Sequence, residues 1–256
     1  EFVKLDVSRE FWDMFMVVIQ LGAILAVVVL YWKDLWPFRN KKPKHVNVTK
    51  VEKAAGVLCR FVKIDKMIMW LKILVSCLPA IIIGLPFNDF IEEKFNNWFV
   101  VSIMLIVYGV MFLIVEDYNE KRQVKYNSIS EITWKTALLI GVFQVLALIP
   151  GTSRSGATII GGILLGASRT LAAEYTFFLA IPVMFGASLL KIVKFGLDFT
   201  SWEVVILVVG MAVSFIVSVL AIKFLMGYIK KHDFKVFGWY RIALGIIVIL
   251  FFTIFR

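Results

Sequence analysis

Cysteine and histidine are scarce in this chain, with two residues of each among 256. Cys59 lies in a basic stretch and Cys77 in an apolar one, so neither a disulfide framework nor a metal-binding cysteine pair is indicated. His45 and His232 both stand among lysines, which is typical of solvated residues outside a membrane. No Gly-x-x-x-x-Gly-Lys element occurs, which argues against an NTPase.

Acidic residues are also few, because 18 Asp and Glu stand against 28 Lys and Arg and leave a net charge of +10. Such a balance can indicate nucleic-acid binding, but here the basic residues cluster between apolar runs. Hydrophobic residues make up 61% of the chain and the mean hydropathy is +0.88, more than one soluble core of this size would bury. The composition predicts an all-α polytopic membrane protein without a nucleic-acid partner.

Six apolar runs reach the roughly 20 residues that a helix needs to cross a ~30 Å hydrocarbon layer. We place the spans near residues 11–32, 67–87, 98–115, 171–190, 204–222 and 239–255. By the positive-inside rule, the basic connections at 33–72, 121–135 and 223–241 are cytoplasmic, and the connection at 88–94 is outside. Both termini are therefore predicted outside. Residues 48–66 fit either an amphipathic helix on the inner leaflet or a solvated linker.

Residues 134–168 start and finish on the predicted cytoplasmic side, so they cannot be a single crossing. Two apolar arms, about 134–149 and 157–167, are each short for a span. This pattern predicts a re-entrant helical hairpin with its turn near mid-membrane. Irregular backbone at that depth is tolerated only where it is buried in protein or lines a wet cavity. We therefore expect Arg154 to face a cavity.

The turn of this hairpin, from Pro150 to Thr158, combines hydroxyls, glycines and one arginine. A guanidinium at membrane depth is expensive and needs an anionic partner. Glycines let the backbone approach a ligand closely, and the N–H groups that open the next helix form a cradle for an anion. The pattern predicts recognition of phosphate. The alternative is that the same residues only cap and bend a broken helix.

Three predicted spans precede the hairpin and three follow it in the opposite orientation, which is typical of an inverted-topology repeat. Residues 15–19 and 177–181 are similar in sequence and open the two three-span units. We predict one integral membrane domain with a first repeat at 1–115 and a second at 116–256. By this register the first repeat lacks its hairpin, so we expect about 30 residues to be missing upstream of Glu1.

The nine residues from Pro150 to Thr158 match the pattern Pro-Gly-x-Ser-Arg-Ser-x-x-Thr, in which the chain resembles bacterial undecaprenyl-diphosphate phosphatases, the bacitracin-resistance protein family. Phe143 with Gln144, residues 17–29 and residues 221–223 extend the resemblance over essentially the whole chain. It implies removal of the terminal phosphate of undecaprenyl diphosphate at the outer face of the bacterial cell membrane, assisted by Mg²⁺ or Ca²⁺. The product would return to peptidoglycan synthesis, and bacitracin resistance would follow from overproduction.

The resemblance also implies roles for individual residues. Arg154 would hold the diphosphate and stabilise charge on the phosphoryl group, with Ser153 and Ser155 as further catalytic residues. The phosphate-binding residues would be Gly151, Thr152, Gly156 and Thr158. Gln144 is a candidate for supporting the turn or for a packing bond between helices. Glu174 is a candidate partner of Arg154, with a plain interfacial position as the alternative.

A second family motif, Glu-x-x-x-Glu followed by Pro-x-Ser-Ser-x-Gly-His, does not occur in this sequence. Glu1 resembles its end only superficially, because the serines and histidine that should follow are missing. No metal ligands are predicted in this chain, and we expect the metal ligands, the base and any nucleophile in the missing upstream segment. We therefore expect the chain as given to bind phosphate poorly and hydrolyse little.

An alternative function is a transporter or flippase for an anionic polyprenyl lipid, since inverted repeats, broken helices and a midplane cation are also transporter features. The missing acidic motif separates the two classes, because diphosphate hydrolysis needs its groups and a metal. A purely structural membrane subunit would leave Arg154 unexplained. Whether the protein forms a homodimer stays open.

Overall fold

The computed structural model describes residues 7–38, 62–196 and 199–255. Within these ranges the regular elements are helices, apart from two isolated bridges, Phe38 with Val62 and Tyr126 with Ala167. The helices are α1 Arg9–Val18, α2 Gln20–Leu30, α3 Trp32–Leu35, α4 Ile64–Phe95, α5 Trp98–Glu120, α6 Trp134–Val145, α7 Arg154–Leu164, α8 Arg169–Phe195, α9 Ser201–Ile229 and α10 Lys235–Phe255. The predicted all-α class is confirmed.

Six segments are long and apolar enough to cross a bilayer, and they coincide with the six predicted spans. They are Arg9–Leu30, Ile64–Gly84, Trp98–Glu120, Arg169–Phe195, Ser201–Ile229 and Lys235–Ile254. The first is formed by α1 and α2 together. The prediction of a polytopic membrane protein is therefore confirmed.

Five of the basic residues counted in cytoplasmic connections lie inside the spanning helices. They are Lys66 and Lys72 in α4, Lys223 in α9, and Lys235 and Arg241 in α10. Their charges are close to the helix ends in sequence, and the charge pattern alone does not separate a loop from the first turns of a span. The predictions for Glu1, His45, Cys59 and most of residues 48–66 fall outside the described residues.

The described residues form two compact units. In the first, residues 7–36 pack with 180–225. Its core contains the fully buried Phe11 with Met14 and Val18 from α1. Close helix packing depends on small residues, because a side chain at Gly22 on α2 would meet the backbone of Met211 on α9.

The second unit contains residues 37–38, 62–179 and 226–255 and includes the predicted hairpin. Its helices α5 and α10 approach closely, since a Cβ at Gly238 would lie 2.8 Å from the carbonyl oxygen of Gly109. Helix α4 packs on α6, where Gly141 adjoins the backbone of Ser76. The division into repeats at 1–115 and 116–256 stays a prediction.

A buried carboxylate joins three helices of this second unit. Glu116 on α5 is fully buried and accepts from the Nε of Arg169 on α8 at 2.8 Å. Its other oxygen accepts from the backbone N–H of Phe234, just before α10, at 3.2 Å. The carboxylate therefore bonds to elements far apart in sequence, and its charge is balanced by Arg169.

Candidate functional site

Helices α6 and α7 form the hairpin that the sequence predicts at 134–168. Helix α6 has 12 residues and begins after Thr133, whose hydroxyl accepts from the N–H of Thr136 at 3.1 Å. A 3₁₀ turn at Leu146–Leu148 follows it. Helix α7 has 11 residues and begins at Arg154, three residues before the predicted arm. Both arms are shorter than the roughly 20 residues that a crossing needs.

The two ends of the hairpin lie side by side. The carbonyl of Gly166 accepts from the N–H groups of Lys125 at 2.9 Å and Tyr126 at 3.1 Å. The N–H of Ser168 donates to the carbonyl of Tyr126 at 2.9 Å. The Tyr126 hydroxyl also lies 3.3 Å from the hydroxyl of Thr136 in the first turn of α6. The chain therefore begins and ends the hairpin at one end, as a re-entrant segment requires.

The turn between the arms is fixed at Gly151. This residue has φ +86°, a left-handed conformation that favours glycine. A Cβ there would lie 2.6 Å from the carbonyl oxygen of Val101 on α5. From α10, the Nη2 of Arg241 donates to the Gly151 carbonyl at 2.8 Å. The turn is thus packed on α5 and bonded to α10.

The start of α7 presents hydrogen-bond donors. The Ser153 hydroxyl caps the helix by accepting from the N–H of Gly156 at 3.1 Å, and it lies 3.0 Å from the hydroxyl of Ser155. The N–H groups of Arg154 and Ser155 precede the first intrahelical bond, and neither donates to another residue in the described ranges. Free N–H groups and the positive end of the helix dipole together favour an anion here.

Arg154 is the first residue of α7 and is partly buried. Across residues 7–38, 62–196 and 199–255 its guanidinium has no hydrogen bond and no ion pair. The buried, uncharged thiol of Cys77 on α4 lies near it. An intramembrane guanidinium without an acidic partner is costly unless an anion accompanies it. Arg154 is therefore available to a phosphate group.

Thr158 lies behind the start of α7 and is already bonded within the protein. Its hydroxyl donates to the carbonyl of Arg154 at 3.0 Å and lies 2.9 Å from the hydroxyl of Thr176 on α8. The structure thus gives Thr158 a packing role between α7 and α8. The N–H of Gly156 is likewise occupied, because it donates to Ser153. A direct contact of either residue with phosphate stays a prediction.

The described residues show no hydrogen bond or ion pair that links the two supporting candidates, Gln144 and Glu174, to Arg154. Gln144 is buried on α6, and the part of the chain that the structure describes shows no hydrogen bond from its side chain to the turn. Glu174 on α8 interacts with other residues, and it forms no ion pair with Arg154. Their proposed contributions to the site stay predictions.

Arg241 and Tyr108 are additional residues at the turn that the motif does not contain. The Cζ of Arg241 lies 5.9 Å from the centre of the Tyr108 ring, within range of a cation–π contact. Tyr108 also adjoins Thr152, whose buried hydroxyl has no hydrogen bond of good geometry in the described residues. A lone arginine inside an apolar span is the signal in the sequence that points to Arg241.

Known proteins resemble this chain over nearly its whole length. The profile of the family described as Bacitracin resistance protein BacA matches residues 1–247. The chain belongs to this family. The BacA-family assignment covers both compact units and confirms the resemblance that the motif at Pro150 to Thr158 indicates.

Individual relatives agree with the BacA assignment. A protein of Desulfitobacterium hafniense described as undecaprenyl-diphosphatase is 56% identical over 254 residues, 99% of this chain and 86% of that protein. An Enterococcus faecalis protein of the same description is 54% identical over 250 residues, 98% of this chain and 86% of its own length. Clostridium acetobutylicum undecaprenyl-diphosphatase 1 is 55% identical over 255 residues, 99% and 87% of the two chains.

A divalent cation, which the BacA resemblance implies, does not fit the residues around Arg154. The described ranges contain no group of three His, Cys, Asp or Glu side chains that could hold a metal ion. The fully buried carboxylate among the described residues of the second unit, that of Glu116, is engaged by Arg169. Metal dependence accordingly stays a prediction from the resemblance.

Proposed function

We propose that this BacA-family protein hydrolyses undecaprenyl diphosphate to undecaprenyl phosphate and inorganic phosphate, and so recycles the lipid carrier for cell-wall synthesis. The observation that carries the proposal is the guanidinium of Arg154, which lies at the start of α7 without a partner in the described residues. Relatives that are 56% and 54% identical are described as undecaprenyl-diphosphatases.

The start of α7 supplies what phosphoryl transfer needs from a protein. Most catalysis of this reaction is positioning of the phosphate and electrostatic stabilisation of its charge. The Arg154 guanidinium can bond two phosphate oxygens, and the N–H groups of Arg154 and Ser155 can bond a third. The exposed Ser155 hydroxyl can turn its proton toward the phosphate, whereas Ser153 is held in the helix cap. Placed in this way, the donors can stabilise the charge that the phosphoryl oxygens carry in the transition state.

The membrane position suits an apolar substrate with a charged head. The six spans make the protein a multi-pass membrane protein, and we propose that it lies in the bacterial cell membrane with both termini outside. The polyprenyl tail would stay among lipid chains while the diphosphate reaches the turn of the hairpin. Lateral access from the bilayer belongs to the same proposal, because so apolar a substrate is expected to enter from the lipid.

The direct test is release of phosphate from undecaprenyl diphosphate by the full-length protein in detergent. Arg154→Ala is expected to lower kcat by about 10²–10³-fold, because a preorganised donor to the transition state is lost. The kcat of Arg154→Lys should lie between those of wild type and Arg154→Ala, since lysine keeps the charge but not the paired N–H groups. Phosphate release before and after chelation tests the divalent cation.

Arg122→Gln is the matched control for loss of an arginine. Arg122 donates to the carbonyl of Ala167, at the opposite end of α7 from Arg154. Its removal should leave phosphate release unchanged. A folded wild-type protein that binds the lipid but releases no phosphate would exclude the phosphatase and favour the flippase.

A further inference from the structure

Arg241 is a cation inside the apolar helix α10, and no ion pair links it to a carboxylate of the described residues. Its guanidinium instead lies 5.9 Å from the ring centre of Tyr108 and donates to the carbonyl of Gly151 at 2.8 Å. Its Nε is buried without a partner in those same ranges. An ionisable residue held in a span at such cost indicates a function rather than packing.

The bond from Arg241 acts on the one point where the hairpin changes direction. Gly151 stands two residues before the cap Ser153 and three before Arg154. In the described ranges its carbonyl accepts from no donor other than Arg241. A carbonyl at membrane depth is costly when unpaired, so the arginine favours the turn conformation that points this carbonyl toward α10.

The turn is also closely packed against the backbone of α5. The Cα of Val101 on α5 would lie 2.7 Å from a Cβ at Gly151. The turn is therefore held by contacts with α5 and with the guanidinium of Arg241 on α10. The position of the turn determines the position of the first residues of α7. Movement of Gly151 would displace the Arg154 guanidinium and the N–H groups beside it.

We propose that Arg241 is a positioning residue of the phosphatase site, which holds the Gly151 carbonyl and thereby sets the position of Arg154. The inference rests on the proposed function, because it concerns the same site. Arg241 acts through the turn and does not touch the substrate. A misplacement of about 1 Å can lower the rate 10²-fold without equal loss of binding, so its removal acts on kcat rather than on KM.

The test compares Arg241→Gln and Arg241→Lys with wild type, each as the full-length protein in detergent, and measures kcat, KM and the thermal midpoint. Arg122→Gln is a close control, because the Nη2 of Arg122 also donates to a backbone carbonyl at 2.8 Å and its Cζ also lies 5.9 Å from a tyrosine ring centre. We expect Arg241→Gln to lower kcat at least about tenfold with KM within about threefold. Arg241→Lys should recover part of the loss, since one donor remains, and Arg122→Gln should match wild type.

Two kinetic results would overturn the inference. Wild-type kcat in Arg241→Gln would show that the bond does not matter to catalysis, and a raised KM with unchanged kcat would make Arg241 a direct ligand of the substrate. If Arg241→Gln does not fold, Arg241→Lys carries the comparison, and it should then lie below wild type in kcat alone.

Hydrogen exchange separates failure of this inference from failure of the proposed function. Loss of the bond from Arg241 to the Gly151 carbonyl should speed hydrogen exchange at the N–H of Thr152, which donates to Ile149 within the turn at 3.1 Å. Exchange at the N–H of Ala137 in α6 should not change. If exchange at Thr152 is faster in Arg241→Gln but the wild type releases no phosphate, the proposed function is contradicted and the positioning role of Arg241 is supported. If exchange at Thr152 is unchanged in Arg241→Gln, the positioning role is contradicted whatever the activity.

Discussion

Gly151 meets two requirements that exclude a side chain. Its φ is +86°, and a Cβ would lie 2.6 Å from the carbonyl oxygen of Val101. The left-handed conformation costs a residue with a Cβ about 1–2 kcal/mol, and a forced contact with backbone adds about 1–3 kcal/mol. The residue type at this position is therefore set by geometry before any contact with substrate is considered.

Gly151→Ala should destabilise the protein by about 2–5 kcal/mol and lower phosphate release, because the turn must shift away from α5. Thermal unfolding in detergent and kcat measure the two effects. Gly186→Ala is the matched control, since Gly186 lies in α8 with no atom within 4 Å of the added Cβ. Equal behaviour of the two variants would show that the turn adapts without cost.

At the scale of residues, the sequence predicts the motif but not its partners. Arg154 and Ser153 are identified because hydroxyls, glycines and a cation adjoin one another along the chain. Arg241 is not, because it lies 90 residues from Gly151 and its contact depends on how α5 and α10 pack. The buried Thr158 shows the converse, since a hydroxyl in the motif bonds to Thr176 instead of remaining open.

At the scale of elements, the spans are predicted by long apolar runs, whereas the start of the second hairpin arm depends on a helix cap. The spans are predicted well because long apolar runs are a strong signal. The second arm begins at Arg154 rather than at Ala157, because the Ser153 hydroxyl starts the helix before its first apolar residue. The apolar pattern alone therefore does not predict that α7 begins at Arg154.

Glu116 ties α5 to α8 and to the start of α10, so its loss should affect all three. Glu116→Gln is expected to destabilise the protein by about 2–4 kcal/mol, because Arg169 loses its buried counter-charge, although that side chain is 29% exposed. The shift of the thermal midpoint measures this effect.

Lys235→Gln provides the comparison, because its ion pairs with Asp117 and Glu120 lie at the surface and are screened by water. The thermal midpoint of Lys235→Gln is expected to differ little from that of wild type. A larger shift for Lys235→Gln than for Glu116→Gln would contradict the role given to the buried carboxylate.

At the scale of the whole molecule, orientation in the membrane is predicted from charge. Single cysteines at the exposed Glu93 and Gln123, in a Cys59→Ser background with Cys77 left buried, mark the predicted outer and inner connections. A membrane-impermeant maleimide added to intact cells should label Glu93→Cys, and Gln123→Cys only after permeabilisation. Labelling in the reverse order would place both termini inside.

The bond between Arg241 and Gly151 also has a consequence for synthesis, since its two residues are 90 positions apart. A ribosome that adds about 5–20 residues per second makes Arg241 roughly 5–20 s after Gly151. During that interval the nascent hairpin must find another donor for its turn, in water or in the insertion machinery. Assembly of the site therefore ends with the delivery of α10, well after the motif itself has left the ribosome.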